Sequence, residues 1–402
     1  MIKILHTADW HLGKMLYKYA LNEDIILFFD WLEAYIITEK IDVLLVSGDI
    51  FDLANPASRD IKLYYNFLHR LSMTGVKTII TGGNHDSVSL LNAPATLLTS
   101  LNISVIGGVP EDFYNQLIPI ENKNKETVAV VLAVPFLRDH ELRASVAADQ
   151  IEDKMDVIPL AIRRHYDLLV VDARLRYGQV PLIAMGHLFM RGALTSESER
   201  EIHVGNLMGI DSQCIPEQIS YTALGHIHKP QKVDKNEFIR YSGSPIYLDF
   251  SESMYEKMVV RVELTENRVE VHPVPIPKFR ELLRLKGKLD EITTQLNQYK
   301  NPYPLKTLVE VEVIDKAFDA TIIHEAQSLE SIQSEVYQVI KTRISFLDQR
   351  QGNDSRTEMD DHIENLDPWQ IFDIRMETEQ MEAQSREALK IAYLHILESL
   401  NE

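Results

Sequence analysis

Aspartate, histidine and asparagine side chains recur in five short motifs, and these residue types bind divalent metal ions. The motifs are Asp-Trp-His at 9–11, Gly-Asp-Ile-Phe-Asp at 48–52, Gly-Asn-His-Asp at 83–86, Gly-His at 186–187 and Gly-His-Ile-His at 225–228. Imidazole, carboxylate and amide ligands without thiolates suit Mn²⁺, Fe²⁺ or Zn²⁺. The pattern predicts a metal site with the protein ligands Asp9, His11, Asp49, Asn84, His187, His226 and His228.

The spacing within the motifs favours two neighbouring metal ions. Asp9 and His11, two residues apart in extended chain, would turn to the same side and could bind one ion. His226 and His228 also face one side, at a separation that suits two adjacent ions. A carboxylate between two ions would reduce their mutual repulsion. Asp49, which follows a glycine at the end of an apolar run, is the expected bridge.

A further histidine of the third motif is expected to act on the substrate. If Asn84 binds a metal ion through its amide oxygen, His85 would point into the pocket. There it could donate a proton to the leaving oxygen or bind the phosphoryl oxygens. Asp86 is the expected partner that orients the His85 ring. His85 and Asp86 are therefore the predicted catalytic residues, and phosphodiester hydrolysis by two-metal catalysis is the predicted reaction.

The elements that must position these motifs are strands, because each motif follows a short apolar run. The predicted strands span residues 2–7, 43–47, 77–81, 128–134, 182–185 and 221–224. Apolar residues at helical spacing separate several of them, for example within 25–36 and 61–71. This alternation predicts an α/β layered domain, in which the motifs meet at the carboxyl ends of the strands.

Changes in composition divide the chain into four segments. The alternating pattern covers 1–275, and the prolines within His272–Lys278 predict a stiff, extended connector at its end. Residues 276–347 mix strand and helix patterns, with helices near 289–299 and 322–340, which predicts a small α+β domain. An acidic linker is expected at 348–368. Apolar residues at helical spacing predict a helical segment at 369–402, which binds a partner or folds back.

The net charge of the chain is −19, a mild argument against a nucleic-acid partner, since such proteins usually carry a basic face. Much of the excess lies in residues 348–402, which hold 14 Asp and Glu against 5 Lys and Arg. The one cysteine, Cys214, excludes an internal disulfide and fits a reducing compartment such as the cytoplasm. From the apolar runs, neither a membrane span nor a cleavable signal is expected.

The five motifs, in this order, resemble the calcineurin-like metallophosphoesterase superfamily. The wider segments around them, together with Tyr-Ser-Gly-Ser-Pro at 241–245, are similar to the bacterial SbcD family, which is related to Mre-type repair nucleases. The resemblance covers residues 1 to about 285. It implies a layered β-sandwich flanked by helices, with a small α+β capping domain that positions DNA and a helical C-terminal tail.

The resemblance implies a Mn²⁺-dependent DNA nuclease, with double-strand exonuclease and single-strand or hairpin endonuclease activity in DNA repair, recombination and replication. It also implies that His85 assists catalysis. At position 52 the archaeal and eukaryotic relatives tend to carry His, so no role is transferred to Asp52. The ligands would form two groups that share Asp49, with Asp9, His11 and His228 in one and Asn84, His187 and His226 in the other.

The implied partners are DNA and an SbcC-type coiled-coil ATPase, to which the helical segment 369–402 would bind, with no membrane. Family members form homodimers within a heterotetramer. Eight apolar residues could form the dimer surface or, with equal odds, pack in the chain's own core. They are Ile61, Tyr64, Tyr65, Leu68, Leu90, Leu91, Leu97 and Leu98. Basic residues that could contact DNA phosphates are Lys14, Arg59, Arg138, Arg191 and Lys229.

Two other functions remain open from the sequence. A metallophosphoesterase for a cyclic nucleotide or another small phosphoester would use the same ligands, but it would not need the long segment after Pro277. A scaffold protein with a decayed site is disfavoured, because every predicted ligand position keeps a residue that can bind metal.

Overall fold

Two six-stranded sheets, packed face to face, form the centre of the computed structural model. The structure describes residues 1–138, 141–142, 157–196, 199, 209–265, 268–315 and 320–346. One unit contains residues 1–313 and 320–344. A second unit, 314–319 and 345–402, is described only at the ends of two strands. The predicted linker at 348–368 and helical segment at 369–402 lie outside the described residues.

The helices and strands follow each other along the chain as the alternating pattern predicts. The strands are β1 Ile2–Thr7, β2 Met15–Leu16, β3 Tyr19–Ala20, β4 Val43–Ser47, β5 Lys77–Thr81, β6 Ile103–Ile106, β7 Leu117–Glu121, β8 Thr127–Ala133, β9 Leu182–His187, β10 Ile219–Gly225, β11 Gln231–Val233, β12 Asn236–Tyr241, β13 Met258–Leu264, β14 Val269–Pro275, β15 Leu282–Gly287, β16 Thr307–Asp315 and β17 Tyr337–Phe346. The helices are α1 Asn22–Glu39, α2 Ser58–Thr74, α3 Val88–Asn92, α4 Ala95–Thr99, α5 Val157–Tyr177, α6 Leu289–Gln298 and α7 Ala320–Ser328.

The first sheet has the order β14-β13-β1-β4-β5-β6 and carries three of the motifs. Strands β1, β4, β5 and β6 are parallel, so their carboxyl ends lie at one edge of the sheet. Strands β13 and β14 are antiparallel additions on the other side of β1. Strand β4 is buried along its whole length, as expected for a central parallel strand covered on both faces.

The second sheet has the order β11-β12-β10-β9-β8-β7 and carries the other two motifs. Strands β8, β9, β10 and β12 are parallel, while β7 and β11 pair antiparallel at the two edges. The Gly-His motif forms the end of β9, and the Gly-His-Ile-His motif begins with the last residue of β10. Each sheet therefore delivers its motifs at the carboxyl ends of parallel strands, as predicted.

Apolar cores on both faces of each sheet hold four layers together. Side chains such as Leu45, Val131 and Tyr221 fill the space between the sheets. Helices α1 and α2 cover the first sheet, where the rings of Phe29 and Phe67 stack with centroids 3.8 Å apart. Helix α5 covers the second sheet. The α/β layered sandwich flanked by helices, which the sequence predicts, is confirmed. No helix in the described ranges is long and apolar enough to cross a membrane.

A three-stranded sheet, β15-β16-β17, forms the small α+β layer that follows the sandwich, with α6 and α7 beside it. Arg280, only 1% exposed, ties this layer to the sandwich. Its guanidinium donates to both carboxylate oxygens of Asp24 on α1, at 2.9 and 3.0 Å, and to the Lys306 carbonyl at 2.5 Å. The domain boundary between residues 275 and 276 stays a prediction, since both segments belong to the same unit.

The predicted helix over 322–340 is wrong in its second half. Helix α7 ends at Ser328, and residues 337–346 form β17. Tyr337 and Val339 are buried on one face of this strand, which is the two-residue period of a strand and not of a helix. The proline-rich connector is extended as predicted, but Pro273 and Pro275 lie within β14. An edge strand tolerates proline, because an N–H that faces solvent is not needed for pairing.

Candidate metal centre

The carboxyl ends of the two sheets meet at one edge of the sandwich, where the five motifs form one buried cluster. Ligand atoms of Asp9, His11 and His228 lie within 4.8 Å of one another, and so do those of Asp49, His187 and His226. Each of these six residues is at most 4% exposed. Asn84 is partly buried and contacts His187. The structure therefore brings together all seven predicted ligands.

Four of the predicted ligands adopt a left-handed backbone conformation, which non-glycine residues rarely do. The φ angles are 54° at Asp9, 46° at His11, 51° at Asp49 and 99° at His226. Each such conformation costs about 1–3 kcal/mol and persists only where the surrounding structure enforces it. The expectation of extended chain at 9–11 is therefore wrong, because β1 ends at Thr7 and both residues have a left-handed backbone.

The first ligand group, Asp9, His11 and His228, points acceptor atoms toward a common centre. The Nε2 atoms of His11 and His228 lie 3.1 Å apart. Among the described residues, no hydrogen-bond donor reaches Oδ2 of Asp9, although this atom is buried. Burial raises the pKa of Asp9 to about 7, because nearby imidazoles offset only part of the desolvation. A divalent cation would supply the positive charge that these groups lack.

The second ligand group, Asn84, His187 and His226, also has acceptor atoms that lie close together. His187 Nδ1 donates to the Ser47 carbonyl at 3.0 Å, so its Nε2 carries the lone pair in the neutral ring. That Nε2 lies 2.9 Å from Asn84 Oδ1 and 3.3 Å from Asp49 Oδ2. Burial alone would lower the pKa of His187, but Asp49 and Asp9 outweigh it and raise that pKa to about 9. The site thus attracts a cation at this point.

Asp49 lies between the two ligand groups, as expected for a bridging carboxylate. Its Oδ2 is 3.6 Å from His11 Nε2 in one group and 3.3 Å from His187 Nε2 in the other. Burial alone would raise the pKa of Asp49, but the imidazoles of His187 and His11 hold it well below its ordinary value. The division of the ligands between two ions stays a prediction, which this geometry supports.

His85 lies beside the ligands, but Asp86 does not orient it, so that part of the prediction is wrong. The Asp86 carboxylate accepts the backbone N–H groups of Gly83, Ile50 and Phe51 at 2.8–3.1 Å. It therefore joins the loops that follow β4 and β5. The ring of His85 is held through its Nδ1, which lies 2.6 Å from the Asp52 carbonyl oxygen.

Asp52 lies close to both His85 and His11. Apart from its place in the second motif, nothing in the sequence predicted these contacts. While its carbonyl oxygen accepts from His85, its Oδ1 lies 3.3 Å from His11 Nδ1 and 3.3 Å from Lys14 Nζ. Burial opposes ionisation, but His11 and Lys14 hold the pKa of Asp52 at about 2. Asp52 thus holds the ring of the predicted catalytic histidine through its carbonyl oxygen, while its carboxylate lies beside the predicted ligand His11.

His6, for which the sequence assigned no role, is a structural residue. The Tyr221 hydroxyl lies 3.0 Å from His6 Nδ1, and Nε2 donates to the Leu224 carbonyl at 3.1 Å. These bonds join β1 of the first sheet to β10 of the second. Burial lowers the pKa of His6 to about 3, so the ring is neutral.

Two glycines allow the backbone to approach the ligands. A Cβ atom on Gly48, whose φ is 83°, would lie 2.2 Å from His187 Nδ1. A Cβ atom on Gly83 would lie 2.1 Å from Asp49 Oδ1. Neither contact is sterically possible without moving a predicted ligand, so both positions require glycine.

The family model described as calcineurin-like phosphoesterase matches residues 2–230. The chain therefore belongs to the calcineurin-like phosphoesterases, the class that its sandwich and its site define. A second model, described as the type 5 capsule protein repressor C-terminal domain, matches residues 278–380. The second match covers the small α+β layer and extends beyond the described residues.

Similar proteins of known name identify the family within this class. The chain is 31% identical to the SbcD protein of the SbcCD nuclease from Escherichia coli (strain K12), over 99% of this chain and 98% of that protein. It is 33% identical to the protein of the same name from Rhodobacter capsulatus, over 75% and 76% of the two chains. For the Bacillus subtilis protein of that name, the identity is 33% over 65% and 66%. The chain belongs to the SbcD family.

Replacing Gly48 with alanine should weaken metal binding at least about tenfold, because the new methyl group displaces His187. The matched control is Gly75→Ala, where φ is 79° and no atom lies within 4 Å of the added Cβ. Both variants take on the strain of a left-handed alanine, about 1–2 kcal/mol. Calorimetric titration with Mn²⁺ and thermal unfolding would measure both effects. Equal metal affinities in the two variants would contradict the steric argument.

Proposed function

We propose that the chain is a metal-dependent nuclease, which hydrolyses phosphodiester bonds in DNA with two divalent ions and works with an SbcC-type ATPase. The observation that carries this proposal is the convergence of the seven predicted ligands, with Asp49 between the two ligand groups, in a chain of the SbcD family. The relatives are named as components of the SbcCD nuclease, which supports the substrate class and the partner. Exonuclease action on double strands and endonuclease action on single strands and hairpins are part of the proposal.

We propose that the seven predicted ligands bind the two ions as two groups. The first ligand group and Asp49 would hold one ion, and Asp49 with the second ligand group would hold the other. When bound, the ions stabilise negative charge that develops on the phosphoryl oxygens and favour attack by water. The imidazole, carboxylate and amide donors, without thiolate, suit Mn²⁺, Fe²⁺ or Zn²⁺. Of these, Mn²⁺ is the ion that we propose, because the resemblance to the SbcD family implies it.

His85 would supply or bind a proton at its Nε2. A carbonyl oxygen can only accept, so the bond from Nδ1 to Asp52 fixes which nitrogen carries the proton in the neutral ring. Nε2 then faces the centre and lies 4.0 Å from Asp49 Oδ2. In the imidazolium form, His85 could donate from Nε2 to a phosphoryl oxygen or protonate the leaving oxygen, without serving as a ligand.

The α+β layer supports DNA over a small phosphoester as the substrate. It packs next to the turn that follows the first motif, where the Tyr17 hydroxyl donates to Glu310 at 2.7 Å. A polymer that extends beyond the metal centre would meet this layer, whereas a cyclic nucleotide would not need it. Arg59 and Arg191, with 61% and 59% of their side chains exposed, are available to contact phosphates.

Purified chain supplied with Mn²⁺ should cleave linear duplex and hairpin DNA, with and without the ATPase partner. Parallel reactions with a cyclic nucleotide and a generic phosphomonoester test the alternative substrates. Metal content is measured on the same samples. Cleavage of the small substrates without any cleavage of DNA would refute the nuclease proposal and favour the small-phosphoester enzyme.

The His85→Ala variant should keep its metal affinity but lower kcat by about 10²–10⁴-fold, the usual contribution of a general acid. His69→Ala is the matched control, because His69 is exposed on α2 and belongs to none of the five motifs. Rates on hairpin DNA and Mn²⁺ titrations would be compared for both variants. A His85→Ala variant that cleaves DNA like the parent would rule out the proposed role.

The burial of the apolar residues predicted for the dimer surface indicates which of them a second copy of the chain could contact. Tyr64, Leu68, Leu91 and Leu98 belong to the chain's own core. The remaining residues are available to a second copy, since Leu97 is 67% exposed and three others are only partly buried. The dimer surface that we propose consists of Ile61, Tyr65, Leu90 and Leu97.

Deleting residues 369–402 should abolish association with the coiled-coil ATPase, because the amphipathic segment would provide the apolar face that the partner binds. Metal affinity and thermal unfolding of the remaining chain should not change. Copurification and size-exclusion chromatography would measure the association. A deletion variant that still binds the ATPase would show that the partner binds elsewhere.

A further inference from the structure

A buried glutamate outside the five motifs contacts a predicted ligand of the first group. Glu252 lies in the short 3₁₀ helix Phe250–Met254 and is 0% exposed. Its Oε1 lies 3.1 Å from His228 Nδ1. An ionised carboxylate can only accept, so Nδ1 carries the proton and the lone pair on Nε2 faces His11.

A lysine fixes the position and the charge of this carboxylate. Lys257 is 3% exposed, and its Nζ donates to Glu252 Oε2 at 2.6 Å. The same oxygen accepts the backbone N–H of Leu248 at 2.9 Å. Lys257 Nζ also lies 2.7 Å from Ser244 Oγ and 3.3 Å from the His228 carbonyl oxygen. The ion pair therefore contacts both the ring and the backbone of His228.

A buried ion pair of this kind is difficult to explain as a source of stability. The desolvation of two charges offsets most of their attraction, and apolar residues of similar volume often stabilise a core equally well. Its geometric effect is clear, since it holds one imidazole in one tautomer and one orientation. The 3₁₀ helix itself is anchored at its start, by Phe250 in the core and by Asp249, whose Oδ1 accepts from the Ser251 N–H at 2.7 Å.

The two ligand groups differ in what supports their histidines. In the first group, His228 contacts the carboxylate of Glu252, and His11 Nδ1 lies 3.3 Å from a carboxylate oxygen of Asp52. In the second group, His187 donates to a neutral backbone carbonyl, that of Ser47. A carboxylate behind an imidazole makes the ring a more basic ligand than a carbonyl does.

We propose that Glu252 is a positioning residue for the metal ion of the first ligand group, and that Lys257 holds Glu252 in place for this role. The proposal rests on the two-metal site of the proposed function and adds a residue that acts through His228. It makes the two ions unequal, because only the ion bound by Asp9, His11 and His228 depends on this ion pair.

The Glu252→Gln variant of the full chain, stripped with EDTA and titrated with Mn²⁺, should bind one of its two ions about 10–100-fold more weakly. The affinity for the other ion should match that of the parent. Titrations of His11→Ala and His187→Ala identify which affinity belongs to which group. The loss in Glu252→Gln should be the one seen in His11→Ala. Unchanged affinity for both ions, or equal loss of both, would overturn the proposal.

Two further variants separate positioning from folding. Glu281→Gln removes a glutamate that pairs with Lys278 at 2.9 Å outside the site, and it should leave both affinities unchanged. The double variant Glu252→Gln with Lys257→Met removes both buried charges, so it avoids an unpaired lysine if the single variant fails to fold. It should show the same selective loss. Normal affinity of the first group in a folded double variant would refute the proposed role.

This test is independent of DNA cleavage. A parent chain that binds two ions but does not cleave DNA would contradict the proposed function while leaving the selective loss to be measured. A parent chain that cleaves DNA, with a Glu252→Gln variant of unchanged metal affinity, would contradict only the role of Glu252.

Discussion

The close approach of the two sheets at Ser47 is the contact on which the metal centre depends. Ser47 Oγ donates to the Ala223 carbonyl at 2.9 Å, and the Ser47 carbonyl accepts from His187 at 3.0 Å. A Cβ atom on Gly225 would lie 1.8 Å from that carbonyl oxygen. Because the end of β4 touches the ends of β9 and β10 at this point, ligands from two separate sheets can meet around Asp49.

This meeting of sheets concentrates strain and negative charge in a small volume. Four left-handed non-glycine residues, at about 1–3 kcal/mol each, and several buried carboxylates would be unfavourable in isolation. Packing in the cores on both faces of each sheet offsets the strain. Bound cations would offset the charge and, since they bind only the folded site, would stabilise the fold through mass action.

Each residue behind the predicted ligands and His85 makes particular hydrogen bonds or close contacts. Asp52 contacts His11 and His85, while Asp86 joins the loops after β4 and β5 through three backbone bonds. Glu252 Oε1 lies 3.1 Å from His228 Nδ1. The α+β layer is attached through Arg280 and Tyr17 rather than through the ligands. A rigid sandwich thus holds the site, with a second layer beside it for an extended substrate.

The sequence by itself determined the strands that carry the motifs, and it predicted the seven ligands that the structure brings together. Strands β1, β4 and β5 match their predicted bounds, because each is an apolar run that a polar or glycine residue ends. Tertiary structure alone decided that Asp52, and not Asp86, holds His85, that Glu252 contacts His228, and that 337–346 forms a strand. Those outcomes depend on hydrogen bonds and packing between residues distant along the chain, which local patterns of hydrophobicity and spacing do not encode.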